Sequence, residues 1–290
     1  MSQKIKIMIL GGARENGKNM YAVQVEDEIF IMDAGLKYPD SSLLGIDVVI
    51  PDLDFFRDYG DKIAGIFLTH GHADSIGALP YILRDYDIPV FGSKLTIELA
   101  KIAVQRENRR RKNDLFHVID ADTEIEFKNA NVSFFKTTHS IPDSLGIDIS
   151  TKEGEIVYTG DFKFDPSAKE GFRTDFVRLS EIAQKGVLAL LSDSTNAEAN
   201  FPNDRQTSIE KYIFNIFENY EGRIIAAAKA SNIVRVQEIF QAAAATGRHV
   251  FLTGRDAGKI VYTAMKLGYL NVPKGLLVHS KDLKKIPDKE

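Results

Sequence analysis

Cysteine is absent from the sequence. That excludes a disulfide framework and a thiolate metal site, so any metal must be held by His, Asp or Glu. Long apolar runs are missing too. Nothing approaches the roughly 18 residues of a membrane span. The opening "MSQKIKIMIL" lacks the longer apolar region and small-residue cleavage site of a secretory signal. There is no basic excess either: the formal net charge is −4, so a polyanionic substrate needs a local basic patch rather than a global field. Together these absences predict a cytoplasmic protein with no membrane association.

What is present is ample material for packed cores. The 290 residues are 44% hydrophobic, enough for one large domain or two ordinary ones. Over the first two hundred residues, short apolar or alternating runs are separated by Gly, Asn and Asp turns: "IKIMIL", "YAVQV", "EIFIMDAG", "AGIFLTH", "IPVFG", "TEIEF", "VSFFKTTH", "EIVYTGD" and "GVLALLSD". These read as strands. Helical periodicity appears between some of them, in "SIGALPYILRDY" and "SKLTIELAKIAVQREN". The expectation is an α/β domain over residues 1–205, mostly β, with a few helices packed outside.

After "NFPNDRQ" the rhythm changes. "SIEKYIFNIFENY", "SNIVRVQEIFQAAAA" and "DAGKIVYTAMKLG" read as helices alternating with "RIIAAA", "HVFLTG" and "LLVHS". This βαβ order predicts a second domain with a parallel sheet over 206–290. Too few strands precede the end to close that sheet, so further sequence is expected to complete it.

Two local features invite a ligand. "GGARENGKN" follows a strand and nearly satisfies the phosphate-loop pattern, but Asn19 stands where a Ser or Thr hydroxyl should reach magnesium. A strand, not a helix, follows it. It reads as a tight glycine turn. Five basic residues, Arg106, Arg109, Arg110, Arg111 and Lys112, lie within seven positions. They read either as the solvated end of a helix, whose dipole favours cations there, or as a phosphate contact.

The chemistry concentrates at strand ends. Asp33 ends "IFIMD", His70 and His72 follow "GIFLT", His139 follows "VSFFKTT", Asp161 follows "EIVYTG" and Asp193 follows "LALLS". Repeated delivery of ionisable groups by the C-terminal ends of strands points to one shared site on a rigid scaffold. In "LTHGHADSIGALP" the His70–His72 pair on one turn can present two imidazoles to one point, with Asp74 within reach of an adjacent one, which is metal-ligand spacing. His117, His249 and His279 lack such company and read as structural.

This pattern resembles the metallo-β-lactamase fold, whose H-x-H-x-D-H signature is matched at His70, His72 and Asp74 but not at Ser75. "LGGARENGKNMY", "MDAGLKYP", "LGIDVVIPD", "TTHSIPDSLG", "YTGDFKFD" and "LLSDSTNAE" extend the likeness to the ribonuclease J family of the β-CASP subgroup. The resemblance implies an αββα sandwich followed by an incomplete β-CASP βαβ domain. It makes His70, His72 and His139 ligands of a first zinc or manganese ion, and Asp161 the carboxylate bridging to a second. Asp74 would serve that second ion, with Ser75 standing where a histidine ligand is usual. His72, Asp74 and Asp161 would carry the catalysis, Asp33 would support the metal loop, and Asp193 would be the first acidic β-CASP motif.

The substrate implied is RNA, single-stranded with a 5′-monophosphate, cut internally and from that end. The remaining second-site histidine, the phosphate pocket and the dimer interface would lie beyond Glu290. A serine hydroxyl is a poor ligand unless deprotonated, and Ala73 stands where active members often carry an acid. At most one tightly held metal is therefore expected. Within the family, "HGHADS" resembles the poorly active second paralogue of bacteria that carry two. That implies either a weak nuclease or a non-cutting subunit that binds RNA and pairs with an active paralogue or with itself.

Overall fold

The computed structural model describes residues 2–107, 113–165, 168, 172–198 and 205–289. The chain divides into two compact units, 1–195 and 196–290.

The first unit is built on two sheets. Sheet one runs in the order β1 (Ile5–Gly11), β2 (Met20–Val25), β3 (Glu28–Met32), β4 (Ile63–Phe67), β5 (Val90–Gly92) and β6 (Phe116–Val118). The first two pairings are antiparallel hairpins, and β3 to β6 are mutually parallel. Sheet two has β11 (Val187–Leu191) beside β10 (Gly154–Tyr158), then β9 (Leu145–Thr151), β8 (Asn131–Lys136) and β7 (Glu124–Glu126). Here β10 and β11 are parallel and the other pairs antiparallel.

The inner faces meet in a dry core of Val23, Phe30, Phe67, Phe134, Ile147 and Ile156 with their neighbours. Fully burying each such side chain contributes roughly 1.5–3 kcal/mol. Helices cover the outside. α4 (Lys94–Glu107) packs on β5 and β6. α5 (Phe176–Lys185) buries Ile182 against Phe135 and Val157 on the outer face of sheet two. α1 (Asp54–Tyr59), α2 (Ala73–Ile76) and α3 (Leu79–Asp85) fill the loops after β3 and β4. This is the expected αββα sandwich. The expected long helix over "SIGALPYILRDY" is broken into α2 and α3 at Gly77 and Ala78.

Strand direction explains why the chemistry gathers at one edge. β3 and β4 are parallel, and β8 lies two antiparallel steps from β10, so it shares the direction of β10 and β11. The loops that follow all five therefore emerge at the C-terminal ends of their sheets. "GGARENGKN" is the connection between antiparallel β1 and β2, as expected of a glycine turn, with Gly12 and Gly17 both at positive φ. Of the basic cluster, Arg106 sits in the last turn of α4 beside Glu107, at 2.7 Å. Arg109, Arg110, Arg111 and Lys112 lie outside the described residues.

The second unit carries α6 (Arg205–Asn219), α7 (Ile233–Ala245) and α8 (Ala257–Lys266), the three helices expected from periodicity. The strands between them differ from expectation. "RIIAAA" has no strand partner among the described residues, and Ile225 is 91% exposed. "HVFLTG" and "LLVHS" meet only in one parallel bridge, Val250 with Leu277. The parallel direction is as read, but a strand forms only where its backbone groups find paired neighbours, and three segments with one pairing make no sheet.

Candidate metal centre

The site is built from the loop after β4. Asp33, just past β3, adopts a left-handed conformation at φ 59° and is fully buried. That is a strained setting for a non-glycine residue, of the kind held only by firm surroundings. Its amide donates to the Phe67 carbonyl at 2.9 Å. Its carboxylate accepts from the Thr69 amide at 2.8 Å, from the Thr69 hydroxyl at 2.9 and 3.0 Å, and from the Tyr158 hydroxyl at 2.9 Å. Asp33 thus ties the β4 loop to both sheets.

α2 is stitched down from the other side. His72 occupies its N-cap position. Leu36 N donates to Ala73 O at 2.9 Å, Asn19 N to Asp74 O at 3.0 Å and Ala34 N to Ser75 O at 2.8 Å. The glycine loop that imitates a phosphate loop therefore serves as scaffold. Asn19, its anomalous last residue, holds the backbone of a candidate ligand.

On this frame three imidazoles converge. The ring centroids of His70, His72 and His139 lie 4.8–5.0 Å apart, with one ring nitrogen of each within 4.8 Å of the others. His70, Asp74 and Asp161 form a second such group. His70 Nε2 is 3.7 Å from Asp74 Oδ1 and 3.9 Å from Asp161 Oδ2, and His139 Nε2 is also 3.9 Å from Asp161 Oδ2. Five residues from three loops thus enclose one small space with the nitrogen and carboxylate donors that zinc or manganese takes.

The electrostatics suit a cation. Burial, reinforced by the neighbouring His70, pulls the His139 pKa down to about 3, so this imidazole is neutral with a lone pair to offer. Burial pushes Asp33 up to about 8, against the lowering effect of its bonds from Thr69 and Tyr158. Tyr158 is raised well above its ordinary value, first by burial and then by Asp33.

The structure places each candidate residue as follows. His70, His72, Asp74, His139 and Asp161 come together. Asp33 lies beneath them. Ser75 is fully buried, and its hydroxyl sits 3.4 Å from Nδ1 of His70, at the ring nitrogen other than the one facing the carboxylates. Asp193 joins neither group but lines a cleft of about 560 Å³ together with Arg14, Tyr21 and Asp161. His117 stacks on Phe91 at 4.9 Å, as a structural histidine should. Three polar residues escaped sequence reasoning. The Ser140 hydroxyl lies 2.8 Å from His72 Nε2 and 3.4 Å from His139 Nε2, the Thr69 hydroxyl lies 2.9 Å from His70 Nδ1, and Tyr158 connects to Thr69 through Asp33. Ser140 and Thr69 adjoin candidate ligands in sequence, which was the available signal.

Residues 13–210 match the metallo-β-lactamase superfamily, and the chain belongs to that superfamily. Residues 221–290 match the β-CASP domain of ribonuclease J. Among curated proteins the chain is 54% identical over 287 residues to a ribonuclease J 2 of Streptococcus pyogenes serotype M3, covering 99% of this chain and 52% of the relative. It is 44% identical over 289 residues to ribonuclease J 2 of Staphylococcus epidermidis and of Staphylococcus aureus, covering 100% of this chain and 52% of each. The chain thus spans about half the length of these relatives. A crystal structure of a protein of unknown function from Enterococcus faecalis V583 shares the fold, with a TM-score of 0.66 at 15% identity over 99% of this chain and 76% of that one. Among the described residues no helix is long and apolar enough to cross a membrane.

Proposed function

We propose that the chain is part of a cytoplasmic ribonuclease J-like subunit that processes and degrades RNA by metal-dependent phosphodiester hydrolysis, with one sound metal site and a weak second one. On this reading residues 1–205 form the metallo-β-lactamase domain and 206–290 part of the β-CASP domain. The observation that carries it is the convergence of His70, His72 and His139 with Asp161, a residue that also lines a cleft. These four residues would hold zinc or manganese, which supplies Lewis-acid stabilisation of charge at phosphorus.

The chain's own groups do the rest. His139 enters neutral because burial disfavours its charge. Asp74 and Asp161 would offset a cation's charge, and Asp74 Oδ1, 3.7 Å from His70 Nε2, would accept a proton from attacking water. Asp193 borders the path by which a strand would enter.

The second site draws on Asp74 and Asp161, with Ser75 contributing a neutral hydroxyl aimed at His70 Nδ1. That supports a second reading, in which the subunit binds RNA and an active paralogue, or another copy of itself, without cutting. Hydrolysis of a labelled, single-stranded 5′-monophosphorylated RNA by the protein in its full natural length, with and without manganese or zinc, separates the two. Slow metal-dependent cleavage, both internal and from the 5′ end, that disappears in His72→Ala supports the enzyme. RNA retention without cleavage supports the partner.

A further inference from the structure

We propose that Tyr158 is a positioning residue for the metal centre, its hydroxyl fixing through Asp33 and Thr69 which nitrogen of His70 carries the proton. The inference rests on the metal-binding reading above.

Proton bookkeeping along the chain of contacts leads there. The Tyr158 hydroxyl donates to Asp33 Oδ2 at 2.9 Å. The Thr69 amide holds Oδ1 at 2.8 Å, and the Thr69 hydroxyl lies within 2.9 and 3.0 Å of both oxygens. Once ionised, above its pKa of about 8, Asp33 only accepts, so the single hydroxyl proton of Thr69 is committed to it. The Thr69 oxygen, 2.9 Å from His70 Nδ1, is then left as an acceptor, and Nδ1 must be the protonated nitrogen. That leaves the Nε2 lone pair directed towards the space shared with Asp74 and Asp161. Orientation of a ligating imidazole by a hydrogen bond to its other nitrogen is how protein sites fix the metal-competent tautomer.

Tyr158 is the remote anchor of this chain. It ends β10 in sheet two, whereas Asp33 and Thr69 lie in the loops after β3 and β4 of sheet one, and its ring packs on Tyr21 at a centroid distance of 5.3 Å. Without its hydroxyl, Oδ2 keeps only the shared Thr69 donor. The Thr69 hydroxyl can then turn, and either nitrogen of His70 can carry the proton. Ser75, 3.4 Å from the same Nδ1, is a weaker neighbour that offers either role and so imposes no tautomer.

The experiment compares wild type, Tyr158→Phe and Asp33→Asn. Long-range proton–nitrogen NMR on histidine-labelled metal-free protein, at a pH above the titration of Asp33, reads the tautomer, and competition of zinc with a chromophoric chelator reads affinity. Wild type is expected to show His70 protonated at Nδ1. Tyr158→Phe, which keeps the ring and its packing, is expected to show mixed tautomers and zinc affinity lower by roughly 10-fold, within the range for loss of groups behind a ligand. Asp33→Asn is expected to lose more. An unchanged tautomer and affinity in a folded Tyr158→Phe would overturn the inference. Failure of the wild type itself to bind zinc would instead overturn the metal reading on which it rests.

Discussion

Asp148 and Glu155 lie diagonally across the β9–β10 hairpin on the face of sheet two that α5 covers, both buried and close enough to share a proton. Each keeps one hydrogen bond, from Ser133 to Asp148 and from Ser150 to Glu155. The other oxygen of each, Asp148 Oδ1 and Glu155 Oε2, meets no donor among the described residues. Lys185, at the end of α5, is the cation that acts on the pair. Burial first, and then Glu155, push Asp148 from 3.8 up to about 7.

The sign of the pH effect follows. The native state holds a proton that the unfolded chain releases near 3.8, so the pair's stabilising contribution is whole below about pH 4 and is lost as pH rises through about 7. Asp148→Asn removes the titration while keeping an acceptor for Ser133. It is expected to raise the melting temperature at pH 8 by about 2–4 °C, the shift that ~1 kcal/mol produces in a domain of this size, and by less at pH 5. Equal destabilisation at both pH values in thermal unfolding would show that the carboxylate is needed for itself.

The metal centre is expected to retain no more than one transition ion per chain when the protein is purified without added metal. The group complete in nitrogen donors is His70, His72 and His139, with Asp161 at its edge. Mass-spectrometric metal analysis decides between one ion and two. His72→Ala should bring the content close to zero, and chelation of the wild type should lower its melting temperature, since an ion bound only by the native state stabilises it by mass action.

Legibility in the sequence followed the distance over which each feature is determined. His70, His72 and Asp74 sit on a single turn, so spacing alone revealed them. His139 and Asp161 were reachable because apolar strands deliver them to the same sheet ends. Tyr158 and Asp33 are 125 residues apart, and their bond exists only because the two sheets pack face to face, which no local pattern encodes. β9 is a different kind of miss. Leu145, Ile147 and Ile149 alternate with Gly146, Asp148 and Ser150 in a clear two-residue period, but glycine and aspartate are poor strand formers and masked it. In the second unit the apolar runs read as strands of a parallel sheet, but sheet formation depends on pairing partners that a run's own composition does not encode.

Ser75→His tests whether the serine is the lesion in the second site. The position has 0% exposure, and its hydroxyl points at His70 Nδ1, so an imidazole must displace neighbours. Overpacking of this kind typically costs about 1–3 kcal/mol. The variant is expected to melt lower than wild type without metal, to recover with excess zinc or manganese, and to bind a second ion. RNA hydrolysis in the full-length protein should rise with it, more so when Ala73→Asp or Ala73→Glu is added. Unchanged metal content and unchanged activity would clear Ser75 of responsibility.

Gly160→Ala should damage stability and metal affinity together. Gly160 has φ 59°, where a Cβ costs roughly 1–2 kcal/mol by itself. Here that Cβ would also lie 2.7 Å from Thr69 Cβ and 2.8 Å from Thr69 Oγ1. Thr69 cannot retreat without loosening its bonds to Asp33 and His70, and Asp161 is the next residue in the chain. Gly186 supplies the control: its φ is 93°, but an added Cβ meets nothing within 4 Å. Urea unfolding and zinc competition on both variants should therefore separate backbone strain from the contact. Gly186→Ala is expected to lose about 1–2 kcal/mol with metal affinity intact, and Gly160→Ala to lose more than ~2 kcal/mol and bind zinc about tenfold more weakly or worse. Equal zinc affinity in the two alanine variants would mean that the Gly160–Thr69 contact does not set the position of Asp161.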